Sequence, residues 1–216
     1  MPTPTASLSP SKLQRAWRHG DFEARRALII QAALDLLRRR GVRRVTIRRV
    51  ARRLGVGAMT LYTYMQGQEE LRREMTRRGF QMLNVACREA STLGSPQGWR
   101  GGAAAYVRFA TENPHLYELM FRQPFTDREV EVDQQILEGG FRNLLERVLE
   151  RFDTRGRSEP EGQAEARAAA GRFWIALHGL ASLAIAGRLS VLGNDVEKLL
   201  DDLLPRVQPD RGNGTG

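Results

Sequence analysis

Cysteine is nearly absent from this sequence of 216 residues. The single Cys87 cannot form an intrachain disulfide or a cysteine-rich metal site, and a reducing, cytoplasmic setting fits. Histidine is almost as scarce, and His19, His115 and His178 are too far apart for a metal or catalytic cluster to be expected. There is no Gly-rich phosphate loop, no His-Glu-x-x-His and no Gly-x-Ser-x-Gly. Enzyme chemistry therefore has no carrier, and neither a cofactor nor a metal is expected. The first residues, Pro2 to Lys12, lack the apolar centre of a secretory signal. No uninterrupted apolar run reaches the roughly 18 residues of a membrane span, so no membrane partner is expected. Strand alternation and internal repeats are missing throughout, which points to an all-α chain.

Positive charge is plentiful and unevenly placed. The formal net charge is +9, yet residues 1–80 hold 18 Lys and Arg against 6 Asp and Glu, an excess of +12. The remainder holds 16 against 19 and is slightly acidic, at −3. A polyanion is the natural partner for the first part, since each phosphate neutralised releases counterions. Lysine occurs only as Lys12 and Lys198, so the location of the charge carries more meaning than the preference for arginine.

The most informative stretch runs from Val45 to Leu71. Thr46 is suited to cap a short helix in which Ile47, Val50, Ala51 and Leu54 recur three and four apart. Arg48, Arg49, Arg52 and Arg53 occupy its other faces, and Gly55 supplies the left-handed residue at which such a helix stops. Val56 can fill the angle before a second short helix from Gly57 or Ala58, in which Leu61 faces back and Ala58, Met59, Thr60, Tyr62 and Tyr64 face outward. This is a helix-turn-helix pattern, whose second helix is narrow enough for a major groove. Gly67 then opens a longer helix with Gln68, Glu69, Glu70 and Leu71, whose free N–H groups suit a phosphate.

Residues 1–20 are rich in Pro and Ser and then basic, which suggests a flexible arm, either free or tracking DNA. Phe22 to Arg40 reads as a helix with Ile29, Ala33, Leu36 and Leu37 in one stripe, its last arginines complementing the helix dipole. Further helices are expected over 68–93, 97–113, 114–121, 127–152 and 163–189, with a last one after Asn194 that Pro205 stops. The aromatic residues Trp99, Tyr106, Phe109, Tyr117, Phe121, Phe125, Phe141 and Trp174 suit either an apolar ligand pocket or plain core packing. His178, on the most apolar helix, needs a hydrogen-bond partner in either case.

The segment G-V-G-A-M-T-L-Y-T-Y-M-Q-G-Q-E-E-L, with T-I-R-R-V-A-R-R-L before it, resembles the recognition helix and following helix start of TetR/AcrR-type transcriptional regulators. A-Y-V-R-F-A-T-E-N-P-H-L-Y-E-L-M-F and F-W-I-A-L-H-G-L-A-S-L resemble the TetR-type C-terminal domain named for its Trp, His and Gly, here Trp174, His178 and Gly179. The resemblance spans most of residues 25–204. It implies an all-α fold of about nine helices, with a three-helix DNA-binding domain at 21–67 and a helical ligand and dimerisation domain at 68–205. The arm at 1–20 and a tail at 206–216 flank them.

By matching position, Thr46, Arg48, Arg49, Gly57, Ala58, Met59, Thr60, Tyr62, Thr63, Tyr64 and Gln68 are the expected DNA contacts. Arg48 is placed to read guanine. Gln68 stands where the family usually has Lys, which weakens the phosphate grip expected there. The family also implies a homodimer, with Leu144, Leu145, Val148, Phe152, Leu180, Ala181, Ala184 and Gly187 as interface candidates. A small-molecule effector would lie among the aromatic residues and His178. The expected function is a ligand-responsive repressor on a palindromic operator. A basic nucleoid-type DNA-coating protein is the alternative, and the acidic C-terminal part argues against it.

Overall fold

Helices alone, nine of them, make up the described part of the chain in this computed structural model, which covers residues 9–91, 96–121, 159–193 and 196–203. The all-α expectation holds. Backbone proximity divides the chain into one unit of residues 1–82 and 113–134 and a second of 83–112 and 135–216. The division expected at 67/68 would place the whole of 68–205 in one domain. Instead Gln68 to Met82 and the helix after Asn113 group with the helix-turn-helix.

In the first unit, α1 (Pro10–His19), α2 (Phe22–Arg40) and α3 (Ile47–Leu54) pack on one another. The short α4 (Ala58–Tyr62) packs on α3, and α5 (Gln68–Ala90) begins in this unit. Leu13, Ile29, Leu37, Val50, Leu54, Leu61 and Leu71 are wholly buried and form its core. The helix α7 (Pro114–Phe121) starts with Pro at N1, where the missing N–H costs nothing, and packs on α2 and the 3-10 turn at Val42–Arg44.

The flexible arm expected over 1–20 is corrected from residue 9 onward. Ser9 caps α1 by accepting from the Lys12 N–H at 3.4 Å, and Pro10 sits in the first turn. Leu13 and Trp17, one turn apart, are both buried. The Pro and Ser that suggest disorder by composition are here a helix start. Residues 1–8 and the expected tail 206–216 lie outside the described residues.

In the second unit, α6 (Pro96–Glu112) packs along α8 (Glu159–Ile185), and α9 (Val196–Leu203) lies against both. A Cβ on Gly101 would stand 2.1 Å from the Ala90 carbonyl oxygen, so only glycine lets α6 approach the end of α5 this closely. Within α8, Phe173, Leu177, Leu180 and Ala181 are buried.

By length and composition α8 can cross a membrane, because residues 168–185 carry a single charge, Arg172. Ala and Gly, not a solid apolar run, make the segment so apolar, and one face of it is a core face. The dimer candidates Leu180 and Ala181 are buried within their own chain, Ala184 is half-buried, and Gly187 lies beyond the end of the helix. The outward face of α8 carries Ala164, Ala168, Arg172, Ile175 and Gly179. Leu144, Leu145, Val148 and Phe152 lie outside the described residues.

Asp35 on α2 is completely buried and receives Arg53 of α3 at 2.9 Å, with Arg38 at 3.6 Å. Removing one partner of a buried pair strands the other charge in a poor solvent. Asp35→Ala is expected to destabilise the fold by about 3–5 kcal/mol, read as a lower urea midpoint.

Candidate nucleic-acid interface

The turn between α3 and α4 follows from two local signals. Thr46 caps α3, its hydroxyl oxygen accepting from the Arg49 N–H at 3.3 Å. Gly55 adopts φ 72°, ψ 31°, and the Val56 N–H returns to the Ala51 carbonyl at 3.0 Å, ending α3 in a left-handed cap. A Cβ at residue 55 would also stand 2.9 Å from the Gln14 side chain on α1. The turn and α1 therefore constrain each other. Leu61 and Met65 are buried beneath α4, which leaves the opposite face free.

Of the expected DNA contacts, Arg48, Gly57, Met59, Thr60, Tyr62 and Thr63 are exposed together along α3 and α4, with Ala58 half-buried. Met59 is 78% and Tyr62 51% exposed, high values for residues of their size. Exposed arginine, hydroxyl and apolar side chains are the kinds that can meet phosphates and base edges. Thr46 accepts a bond as a cap, and its O–H proton can still be donated outward.

Three expected contacts, of which only Tyr64 is buried, make bonds to other parts of the chain. The Arg49 guanidinium donates to the Arg44 carbonyl at 3.1 Å. Tyr64 is buried, its hydroxyl accepting from Arg25 at 2.9 Å and its carbonyl from Arg26 at 2.6 Å. Its ring meets Trp17 edge-on at 5.3 Å and Phe22 at 5.0 Å. Gln68 accepts from the Ile47 N–H at 3.1 Å and donates to the Val45 carbonyl at 2.9 Å. It thereby satisfies one of the orphan donors at the start of α3. A lysine at this position has no acceptor and could not make the Ile47 bond. Gln68, the residue expected to weaken phosphate grip, forms a clasp between α5 and α3.

Sequence reading missed Trp17, Arg25, Arg26 and Glu70. The Arg25 Nε donates to the Trp17 carbonyl at 3.1 Å, and its guanidinium lies 5.6 Å from the centre of the Trp17 ring. Arg26 pairs with Glu70 at 3.0 Å and approaches Glu74 at 3.7 Å, tying α2 to α5. Burial pushes the Glu70 carboxyl up, but the Gln66 N–H, Arg26 and the charge of Arg73 outweigh it and hold it below the usual carboxylate range. Its ion pair therefore contributes stability at neutral pH that is lost as the pH falls through the depressed pKa. The arginine pair at 25–26 is visible in sequence, but its partners Tyr64 and Glu70 lie 39 and 44 residues away.

The proposed ligand residues do not form one described group. Tyr117 and Phe121, with ring centres 4.6 Å apart, pack with Phe80 in the first unit. Tyr106 and Phe109 are buried in the second, where half-buried Trp174 and His178 lie 6.4 Å apart. Trp99 lies on α6, and Phe125 and Phe141 lie outside the described residues. Among the described residues there is no metal-binding cluster of His, Cys, Asp and Glu.

Residues 29–75 match the family model for bacterial regulatory proteins of the tetR family. Residues 99–207 match the model for the tetracyclin repressor-like C-terminal domain. The uncharacterized HTH-type transcriptional regulator YobS of Bacillus subtilis is 28% identical over 111 residues, covering 51% of this chain and 58% of that relative. The match thus spans little more than half the length of YobS. Among solved structures, SCO4313, a protein assigned a regulatory role, is 26% identical with a TM-score of 0.66, over 85% of this chain and 96% of that one. A TetR-like transcriptional regulator from a Rhodococcus species shares the fold at 18% identity and a TM-score of 0.56, over 83% and 93%.

Because Gln68 makes two backbone bonds at the start of α3, Gln68→Ala is expected to lower stability by about 1–3 kcal/mol, measured by urea denaturation. Gln68→Lys should lose the Ile47 bond as well, and a midpoint unchanged from the parent for both variants contradicts the clasp.

Proposed function

The chain belongs to the tetR family of bacterial regulatory proteins, and from that premise we propose that it is a ligand-responsive repressor acting in the cytoplasm as a homodimer on a palindromic operator. The observation that carries the reading is the outward face of α3 and α4, where Arg48, Met59, Thr60, Tyr62 and Thr63 stand exposed beside one another. Paired by a two-fold axis, two such faces meet successive major grooves about 34–36 Å apart or a multiple of that. Arg48 reads guanine through its fork of donors, Met59 and Ala58 offer apolar contact to thymine methyls, and Thr60, Tyr62 and Thr63 grip phosphates. Tyr64, Arg49 and Gln68 act behind that face by holding it in shape.

The second copy packs against the exposed side of α8, where small residues permit close approach and Ile175 is 69% exposed. The effector is a small apolar or amphipathic molecule held in the second unit, with Trp174 and His178 as lining residues. Its binding favours the arrangement of the two recognition helices that does not fit DNA. The family consists of transcriptional regulators, and an enzymatic activity is not part of this reading.

Two measurements test it. In sedimentation velocity the parent is expected to be a dimer at micromolar concentration and Ile175→Glu a monomer that melts like the parent; a monomeric parent defeats the two-half-site reading. On the operator, Arg48→Ala is expected to cost about 1–3 kcal/mol and relax preference at one base pair per half-site. Tyr62→Phe should weaken operator and random duplex by similar factors. If Arg48→Ala weakens operator, single-base variants and random duplex alike at one salt concentration, Arg48 is a phosphate clamp and not a reader.

A further inference from the structure

The helix α1 precedes the residues that match the DNA-binding family model, which begin at 29. It is nevertheless built into the helix-turn-helix. Leu13 is wholly buried, Trp17 is buried against Tyr64, and α1 packs on both α3 and α2. The Trp17 carbonyl accepts from Arg25, which also holds the Tyr64 hydroxyl just after the recognition helix. The position of α1 is thus tied to the position of α4.

The side of α1 turned from the core is basic. Lys12, Arg15 and Arg18 are exposed, the helix contains no Asp or Glu, and no ion pair with a described residue involves any of the three. Their register matters more than their number. Ser11, Gln14, Arg15 and Arg18 are spaced i, i+3, i+4 and i+7, so they share one face of the helix. Gln14 is the member of that face lying against Gly55, in the turn between α3 and α4. Arg15 and Arg18 therefore rise beside the turn that leads into the recognition helix. Arg48 of α3 and Thr60 of α4 are exposed on the two helices that this turn joins.

We infer that α1 is a second DNA-binding element, whose Arg15 and Arg18 clamp the phosphate backbone flanking the major-groove contact. The inference rests on the DNA-binding reading above and extends the footprint beyond the helix-turn-helix. The occupant is a polyphosphate backbone and not an acidic protein surface, because the adjoining α3 and α4 face is the one proposed to enter the groove. Phosphate contacts of this kind position a protein on the duplex without reading sequence. They add one released counterion each, so their signature is the salt dependence of binding.

The experiment uses the full chain and a fluorescein-labelled mixed-sequence duplex, with anisotropy titrations over a series of salt concentrations. The double variant Arg15→Gln/Arg18→Gln is expected to melt like the parent, since both side chains are exposed. Its plot of log affinity against log salt should be shallower by about two units per bound subunit, one for each phosphate no longer neutralised. Arg88→Gln/Arg108→Gln removes the same charge from exposed positions of the second unit and should leave the slope unchanged. A parent slope retained by the α1 variant overturns the inference while leaving the regulator reading intact. An equal loss of slope in the control variant also overturns it, since net charge alone would then account for the effect. A parent that does not bind duplex DNA at all defeats the regulator reading and this inference together.

Discussion

Tyr64 is the point at which the DNA-binding unit is fastened. It follows the recognition helix, and every part of it is used: the hydroxyl by Arg25, the carbonyl by Arg26 and the ring by Trp17 and Phe22. Through Arg26 and Glu70 the same knot reaches α5, and through Trp17 it reaches α1. Charged hydrogen bonds in a part-buried setting are stronger than neutral ones, and an unmet donor there is costly. Helices that share little apolar surface with α4 can for that reason still dictate where it sits.

The charge of the unit follows a related logic. Of the six carboxylates in residues 1–80, Asp35, Glu69, Glu70 and Glu74 face arginines, and Asp21 caps α2 by accepting from the Ala24 N–H. Asp35 is wholly buried, whereas Asp21, Glu23 and Glu69 stay exposed among more numerous exposed arginines. The net excess of +12 makes residues 1–80 strongly positive as a whole, and such a stretch attracts a polyanion from a distance set by the ionic strength.

Much of this was legible in the sequence because it depends on neighbours. The Thr46 cap, the Gly55 stop and the apolar spacing of α3 are all local signals, and the helix-turn-helix appears where they predict it. Relations over longer separations were not legible. Nothing near Gln68 indicates that its amide reaches Val45 and Ile47, and nothing near Tyr64 distinguishes a tyrosine turned inward from Tyr62, turned outward two residues earlier. The same limit explains α1, whose Pro and Ser look disordered until Leu13 and Trp17 find α3 and Tyr64. It explains α8 too, where apolar residues are spread around the helix and only packing against α6 separates core Leu180 from outward Ile175.

The brevity of α4 carries a consequence for its dynamics. With five residues it is far below the length at which a helix persists in water, so its helicity is a property of the site that receives it. Amide protons in this segment are therefore shielded only while Leu61, Tyr64 and Met65 remain seated. Unseating them releases α4 as one cooperative unit, and the free energy of that local opening lies below that of global unfolding. The order of α4 is thus on loan from its neighbours, and anything that holds Leu61, Tyr64 and Met65 in place adds to it.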